Sequence, residues 1–193
     1  MHLDGKHDNN TQQLTTGTLT ISFPSISPDG KKIAFSKGIP NTEANISTIP
    51  LEGDQEQRLT FLKSNNVNPV WSPDGQQIAF GSNQDGQNRV WIIDIDKSSQ
   101  MHLTKGRYWP LTWSNDAEWI YVVNPGHSAI SRISIHEGVP KNVAKLPVDN
   151  VGGVSMIPDG KQIVYTVREY QSDIWVMENF DPDQETKLLF RAI

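Results

Sequence analysis

The stretch Pro69-Val70-Trp71-Ser72-Pro73-Asp74-Gly75-Gln76-Gln77-Ile78-Ala79-Phe80 decides how the rest of the chain is read. Two short runs of strand-forming residues flank a Ser-Pro-Asp-Gly turn. Proline sets φ, aspartate bonds to nearby backbone amides and glycine supplies positive φ, so the turn predicts a tight hairpin. The tetrapeptide also stands at Ser27-Pro28-Asp29-Gly30, decays to Ser114-Asn115-Asp116-Ala117, and recovers as Ile157-Pro158-Asp159-Gly160. Asp29, Asp74, Asp116 and Asp159 follow one another at 45, 42 and 43 residues. Four-stranded propeller blades repeat at about 40–45 residues.

More than the turn repeats. Four residues after each Asp stands an isoleucine, Ile33, Ile78, Ile120 and Ile163, opening a second short strand. A third run follows around Ile46, Val90-Trp91-Ile92, Ile130 and Ile174-Trp175-Val176, and a fourth at Leu59, Leu103, Val143 and Leu188. Middle strands covered on both faces should be rich in Ile, Val, Phe and Trp, and an outer strand such as Gln57-Arg58-Leu59-Thr60 should be amphipathic. No segment of ten or more residues carries a 3.6-residue apolar period. The chain therefore reads as all-β, a β-propeller of four four-stranded blades over residues 21–62, 63–106, 107–147 and 148–193.

The segment Pro69 to Phe80 resembles the Pro-Asp repeat of the TolB-like, WD40-like (PD40) propeller family, and Phe23 to Phe35 resembles it nearly as closely. The resemblance covers residues 20–190. It implies a ring of roughly six to eight blades, within the range propellers span. It also implies a periplasmic or extracytoplasmic setting. Family repeats occur in periplasmic TolB-like proteins, in the propellers of prolyl-oligopeptidase-like enzymes and in sensor regions, so the resemblance is specific for fold and weak for function.

Residues 1–20 read as the tail of a truncated blade. Leu3-Asp4-Gly5 matches Leu51-Glu52-Gly53, the exit from a third strand, and Gln13-Leu14-Thr15 matches Arg58-Leu59-Thr60, a fourth strand. Four blades and a tail do not fill a larger ring. The first and last blades are expected to expose apolar faces lined by residues of the Ile33–Phe35 and Ile163–Tyr165 type. Uncapped repeat arrays lose solubility, so self-association through these open faces, or an attached domain or protein partner, is expected.

Composition excludes several classes. Hydrophobic residues are 36 % of the 193, below the usual share of nearly half, which suits thin sheets better than one thick core. Six Trp, six Phe and four Tyr in patterned segments argue against disorder. The net charge is −5, and Lys31-Lys32 is the only adjacent basic pair, so no nucleic-acid surface is expected. Without cysteine there is neither a disulfide framework nor a thiolate metal site. No run approaches the roughly 18 apolar residues of a membrane span, and Met1-His2-Leu3-Asp4-Gly5-Lys6 lacks the apolar core of a signal peptide.

Chemistry is sparse. Nucleophilic hydrolysis needs a Ser, a His base and a carboxylate, and no Gly-x-Ser-x-Gly elbow is present. His102 falls on an outer strand, and His127 and His136 fall in turns. His2, Asp4, His7 and Asp8 form the densest metal-like group, but a polar terminus accounts for it. Asp94-Ile95-Asp96 and Asp181-Pro182-Asp183 lack the spacing of a calcium loop. There is no phosphate-binding or dinucleotide fingerprint. Neither cofactor nor catalytic residue is expected, and Asp29, Gly30, Asp74, Gly75, Asp116, Asp159 and Gly160 are structural turn residues. Trp71, Trp91 and Trp175 hold repeat-phased core positions. The expected function is a non-catalytic interaction or sensor domain that binds a protein or small ligand through loops entering the inner strands. Asn65, Asn66, Arg107, Tyr108, Trp109, Asp149 and Asn150 are the candidate contacts. The alternatives are the propeller of a prolyl-oligopeptidase-like peptidase and a propeller lyase or hydrolase acting on sugars.

Overall fold

In a computed structural model, residues 12–39, 41–53, 55–96, 99–124, 128–146, 151–156, 162–167, 174–177 and 190–191 are described. They form four antiparallel four-stranded sheets, each in simple sequence order. The first holds β1 (Thr20–Ile26), β2 (Lys32–Ile39), β3 (Glu43–Pro50) and β4 (Gln57–Arg58); the second holds β5 (Val67–Trp71), β6 (Gln77–Ser82), β7 (Arg89–Asp94) and β8 (Gln100–His102). The third holds β9 (Trp109–Trp113), β10 (Trp119–Val123), β11 (Ala129–Ser134) and β12 (Pro140–Lys145), and the fourth β13 (Val151–Met156), β14 (Ile163–Val167), β15 (Ile174–Met177) and β16 (Phe190–Arg191). Each sheet is one propeller blade, and β1, β5, β9 and β13 are packed side by side in that order. Among the described residues, no comparable packing of β13 on β1 closes the series.

The Ser-x-Asp turns explain why the hairpins recur. In the first, Gly30 N–H donates to Ser27 O (2.9 Å). The Ser27 hydroxyl donates to Asp29 Oδ1 (2.6 Å) and accepts from Lys32 N–H (2.9 Å), while Lys31 N–H donates to the same Asp29 oxygen (3.0 Å). Ser72, Asp74, Gln76 and Gln77 repeat this network, as do Ser114, Asp116, Glu118 and Trp119. The serine hydroxyl first, and the backbone N–H second, hold the Asp29, Asp74 and Asp116 carboxyls below their ordinary value, because both bonds favour the charged form. Gly30 and Gly75 have φ of 70°. Ala117 takes their place in the third turn at φ 60°, a conformation that costs an L-residue about 1 kcal/mol. Asp159 and Gly160 lie outside the described residues.

The core lies between blades. Ala34, Ile46 and Leu59 of the first pack with Ile78, Phe80 and Ile93 of the second, with Trp71 and Trp91 partly buried against them. Ala79, Val90, Ile92 and Leu103 pack with Trp113, Ile120, Val122 and Ile133 of the third. Tyr121, Ile130 and Val143 pack with Ile163, Tyr165 and Val167 of the fourth, and burial pushes the Tyr165 phenol upward. A fully buried side chain of this kind contributes about 1.5–3 kcal/mol. Two indoles staple the stack: Trp71 Nε1–H donates to Ser25 O (3.0 Å), and Trp113 Nε1–H to the corresponding Val70 O (3.0 Å).

This geometry corrects the expected open faces. Side chains at the Ile78, Ile120 and Ile163 position look toward the preceding blade, so Ile163 and Tyr165 are buried against the third blade. Phe35 and Ile49 are also buried, at 1 % and 4 %. An exposed apolar strip runs along the inner strand of the first blade, Ile21, Phe23 (50 %) and Ile26 (63 %), with Leu19 just ahead of it. Inner strands also carry a bulge, between Ser22 and Ser25, Val67 and Val70, and Val151 and Val154. In the first two, Phe23 and Asn68 stand at φ 54°.

Candidate binding face

An antiparallel meander sends the links after its second and fourth strands to the same end. The described links at residues 61–66, 83–88 and 105–108 therefore share one face of the stack, and a direct bond joins two of them: Asn65 N–H donates to Asn83 Oδ1 (2.8 Å). The SPDG turns occupy the opposite face.

The link between the first and second blades is held tightly. Ala44 N–H donates to Ser64 O (3.0 Å), and Asn66 N–H returns to Ala44 O (2.9 Å). Asn66 is fully buried, and its Nδ2 donates to Ala44 O and Ser64 Oγ, both at 2.9 Å. Its role in the geometry is to clamp the link onto β3, with Asn65 partly exposed beside it. Four side-chain carbonyl oxygens in this region, Oδ1 of Asn65, Asn66 and Asn68 and Oε1 of Gln84, are buried without a protein donor. Each such acceptor costs about 1–3 kcal/mol if left unmet, and at this depth ordered water is the donor that meets groups of this kind.

The aromatic candidates sit at the next junction. Arg107 is exposed, and Tyr108 and Trp109 are half-buried. The Tyr108 ring covers Gly106, where a Cβ would stand 2.8 Å from it, and the Trp109 ring covers Gly81, where a Cβ would stand 2.6 Å away. Both rings thus use one surface to seat against glycine backbone. Trp113, three residues beyond Pro110, is 5 % exposed and belongs to the blade–blade core. Asp149 and Asn150 lie outside the described residues, as do His127 and the groups His2-Asp4-His7-Asp8 and Asp181-Pro182-Asp183; so does the Trp175 side chain.

Sequence reasoning passed over Phe61 and Leu62. They open the 61–66 link and are 68 % and 57 % exposed, and the Arg58 guanidinium stands 5.3 Å above the Phe61 ring. The available signal was their position: the second blade has Lys105-Gly106 where the first has Phe61-Leu62. Asn68 and Gln84 were also overlooked, because a lone amide in a strand or turn has no sequence signature.

The histidines are engaged locally. The His102 ring meets Trp91 edge-on at 5.5 Å, and His136 Nε2 lies 3.1 Å from Glu118 Oε2. Among the described residues, no group of three or more His, Asp or Glu side chains converges as a metal-binding set. The hydrogen-bonded Ser–Asp pairs, 27 with 29, 72 with 74 and 114 with 116, all sit in the repeating turns.

Comparison with known proteins agrees with this architecture. The chain is 34 % identical over 98 residues to the uncharacterized protein Atu1656 of Agrobacterium fabrum, covering 51 % of this chain and 33 % of that one. It is 25 % identical over 160 residues to the uncharacterized peptidase YuxL of Bacillus subtilis, covering 82 % of this chain and 23 % of the relative. The structure superposes on TolB from Acinetobacter baumannii with a TM-score of 0.67 and 25 % identity, over 83 % of this chain and 41 % of TolB. The chain therefore spans a third or less of the two curated relatives, and its solved neighbour is a larger propeller. The model of the TolB β-propeller domain, PD40, matches residues 1–191, and the chain belongs to that family.

Proposed function

We propose that this chain is a non-catalytic propeller module that holds a polypeptide segment on its loop face at the junction of the first two blades. The observation that carries the reading is the exposed apolar pair Phe61 and Leu62, on a link held to β3 by Asn66 and to the neighbouring link by Asn65. Apolar side chains of a bound segment cover the exposed pair, on a link that Asn66 holds fixed against β3, which is how loops on a rigid scaffold gain both affinity and orientation.

A second reading has a specific observation behind it. Similarity to the peptidase YuxL spans 82 % of this chain, which favours a propeller that screens substrates for a separate hydrolase unit. In that reading too, the propeller binds and does not cleave.

Panning a displayed peptide library on the full chain tests the proposal. Binders should be enriched, and Phe61→Ala with Leu62→Ala should weaken them about tenfold, or roughly 1.4 kcal/mol, with an unchanged melting temperature. Enrichment no better than on an unrelated propeller would sink the reading. So would turnover of fluorogenic peptides or esters that disappears with His102→Ala or His136→Ala.

A further inference from the structure

Charge on the loop face points to the chemistry of the segment held there, and we infer that this segment is acidic, with apolar side chains flanked by Asp or Glu. The inference rests on the proposed peptide-binding role of that face.

The two faces differ in charge. The chain as a whole carries a net −5. Yet Lys63, Lys105 and Arg107 stand exposed on the links that enter β5 and β9, and Lys145 is exposed where β12 reaches the same end of the stack. Among the described residues, none of these four cations is in an ion pair. Of the carboxylates at this end, Asp85 is matched by Arg89, whose Nε is 3.0 Å away, and Glu43 is half-buried at the start of β3. On the opposite face, Asp29, Asp74, Asp96, Asp116, Glu118 and Glu137 outnumber the basic Lys31, Lys32 and Lys141.

The cations belong to one continuous surface. Asn65 N–H donates to Asn83 Oδ1, joining the 61–66 link to the 83–88 link. Arg89 Nη1 then reaches Thr104 O at 3.5 Å, just ahead of the 105–108 link. Lys63 follows the exposed pair Phe61 and Leu62 directly, and the Arg58 guanidinium already covers the Phe61 ring. A segment that covers the pair and continues across the second blade passes Lys63 first, then Lys105 and Arg107. Its carboxylates would gain partners without displacing any that the chain has made, whereas a basic segment would meet unpaired like charges. The same field steers an acidic segment to this face and away from the other. Four scattered cations on an acidic chain fall short of the basic stripe that a nucleic acid needs, so the occupant is a polypeptide.

The test repeats the panning with three displayed libraries that share a randomised centre and differ in fixed flanks of Glu, Gln or Lys. The Glu-flanked library should be enriched most. Each selected peptide should bind about five- to tenfold more tightly than its Gln-flanked twin in 0.1 M NaCl, as a few exposed ion pairs allow. That advantage should shrink to about twofold in 1 M NaCl, where the screening length falls from about 10 Å to about 3 Å. Lys63→Gln, Lys105→Gln and Arg107→Gln together should remove it, whereas Lys31→Gln with Lys32→Gln on the opposite face should leave it intact. Equal binding of the two twins, or an advantage that survives the triple variant, overturns the inference. If Phe61→Ala with Leu62→Ala still weakens both twins, the proposed function stands without it. A single-stranded oligonucleotide that binds more tightly than the Glu-flanked peptide assigns the cations to nucleic acid and overturns it too. No enrichment from any library overturns both.

Discussion

At the scale of single residues, the repeat makes its own controls. Gly30, Gly75 and Ala117 occupy equivalent turn positions with φ of 70°, 70° and 60°. Gly75→Val should destabilise the chain by about 1–3 kcal/mol, because a β-branched residue resists positive φ. Ala117→Gly should stabilise it by about 0.5 kcal/mol, the relief of strain being partly offset by the extra freedom of glycine in the unfolded chain. Urea melts of the two variants check both signs. An unchanged midpoint for Gly75→Val would contradict the turn assignment. The turn aspartates add a pH dependence. Asp29, Asp74 and Asp116 titrate below 3.8 in the fold, so their stabilisation is complete above that value and is lost as pH falls through the lower folded values. Asp74→Asn should flatten this acid limb, which melting between pH 2 and 5 would show.

At the scale of elements, the inner strands do the joining. Trp113 fills the core between the second and third blades and bonds to Val70 O, and Trp71 makes the corresponding bond from a half-buried position. Trp113→Phe removes that donor and part of the ring, and should cost about 2–3 kcal/mol. Trp71→Phe should cost less, because its ring is less buried. Denaturant unfolding of the pair measures the difference, and equal costs would mean that the bond matters and the packing does not. The first and fourth blades show the limit of the device: Ile26 and Met156 stand at the same position and carry no indole N–H.

At the scale of the whole molecule, the stack is open at its leading end. Phe23 and Ile26 are 50 % and 63 % exposed, whereas Trp71 and Trp113, at the Ile26 position of the second and third blades, are half-buried and buried. Burying such a side chain is worth about 1.5–3 kcal/mol. The isolated chain should therefore associate as its concentration rises, and Phe23→Lys with Ile26→Lys should shift it toward the monomer in sedimentation velocity. A double variant that associates as strongly as the parent would place the sticky surface elsewhere.

The sequence by itself determined the four blades, their order and the three described hairpin turns. Each rests on contacts within a few residues, and turn chemistry at Ser27–Gly30 or Ser72–Gly75 together with strand periodicity is written locally and then repeated. Only the tertiary structure decided which side of each strand faces which neighbour. That choice buries Ile163 and Tyr165 and leaves Ile26 open, reversing the expectation drawn from residue type. Tertiary contact likewise decided that Asn66 is a buried clamp, that Tyr108 and Trp109 rest on Gly106 and Gly81, and that Phe61 and Leu62 are exposed. The reason is physical: a binding face is made by links tens of residues apart, and nothing in the local sequence of one link records what the next one covers.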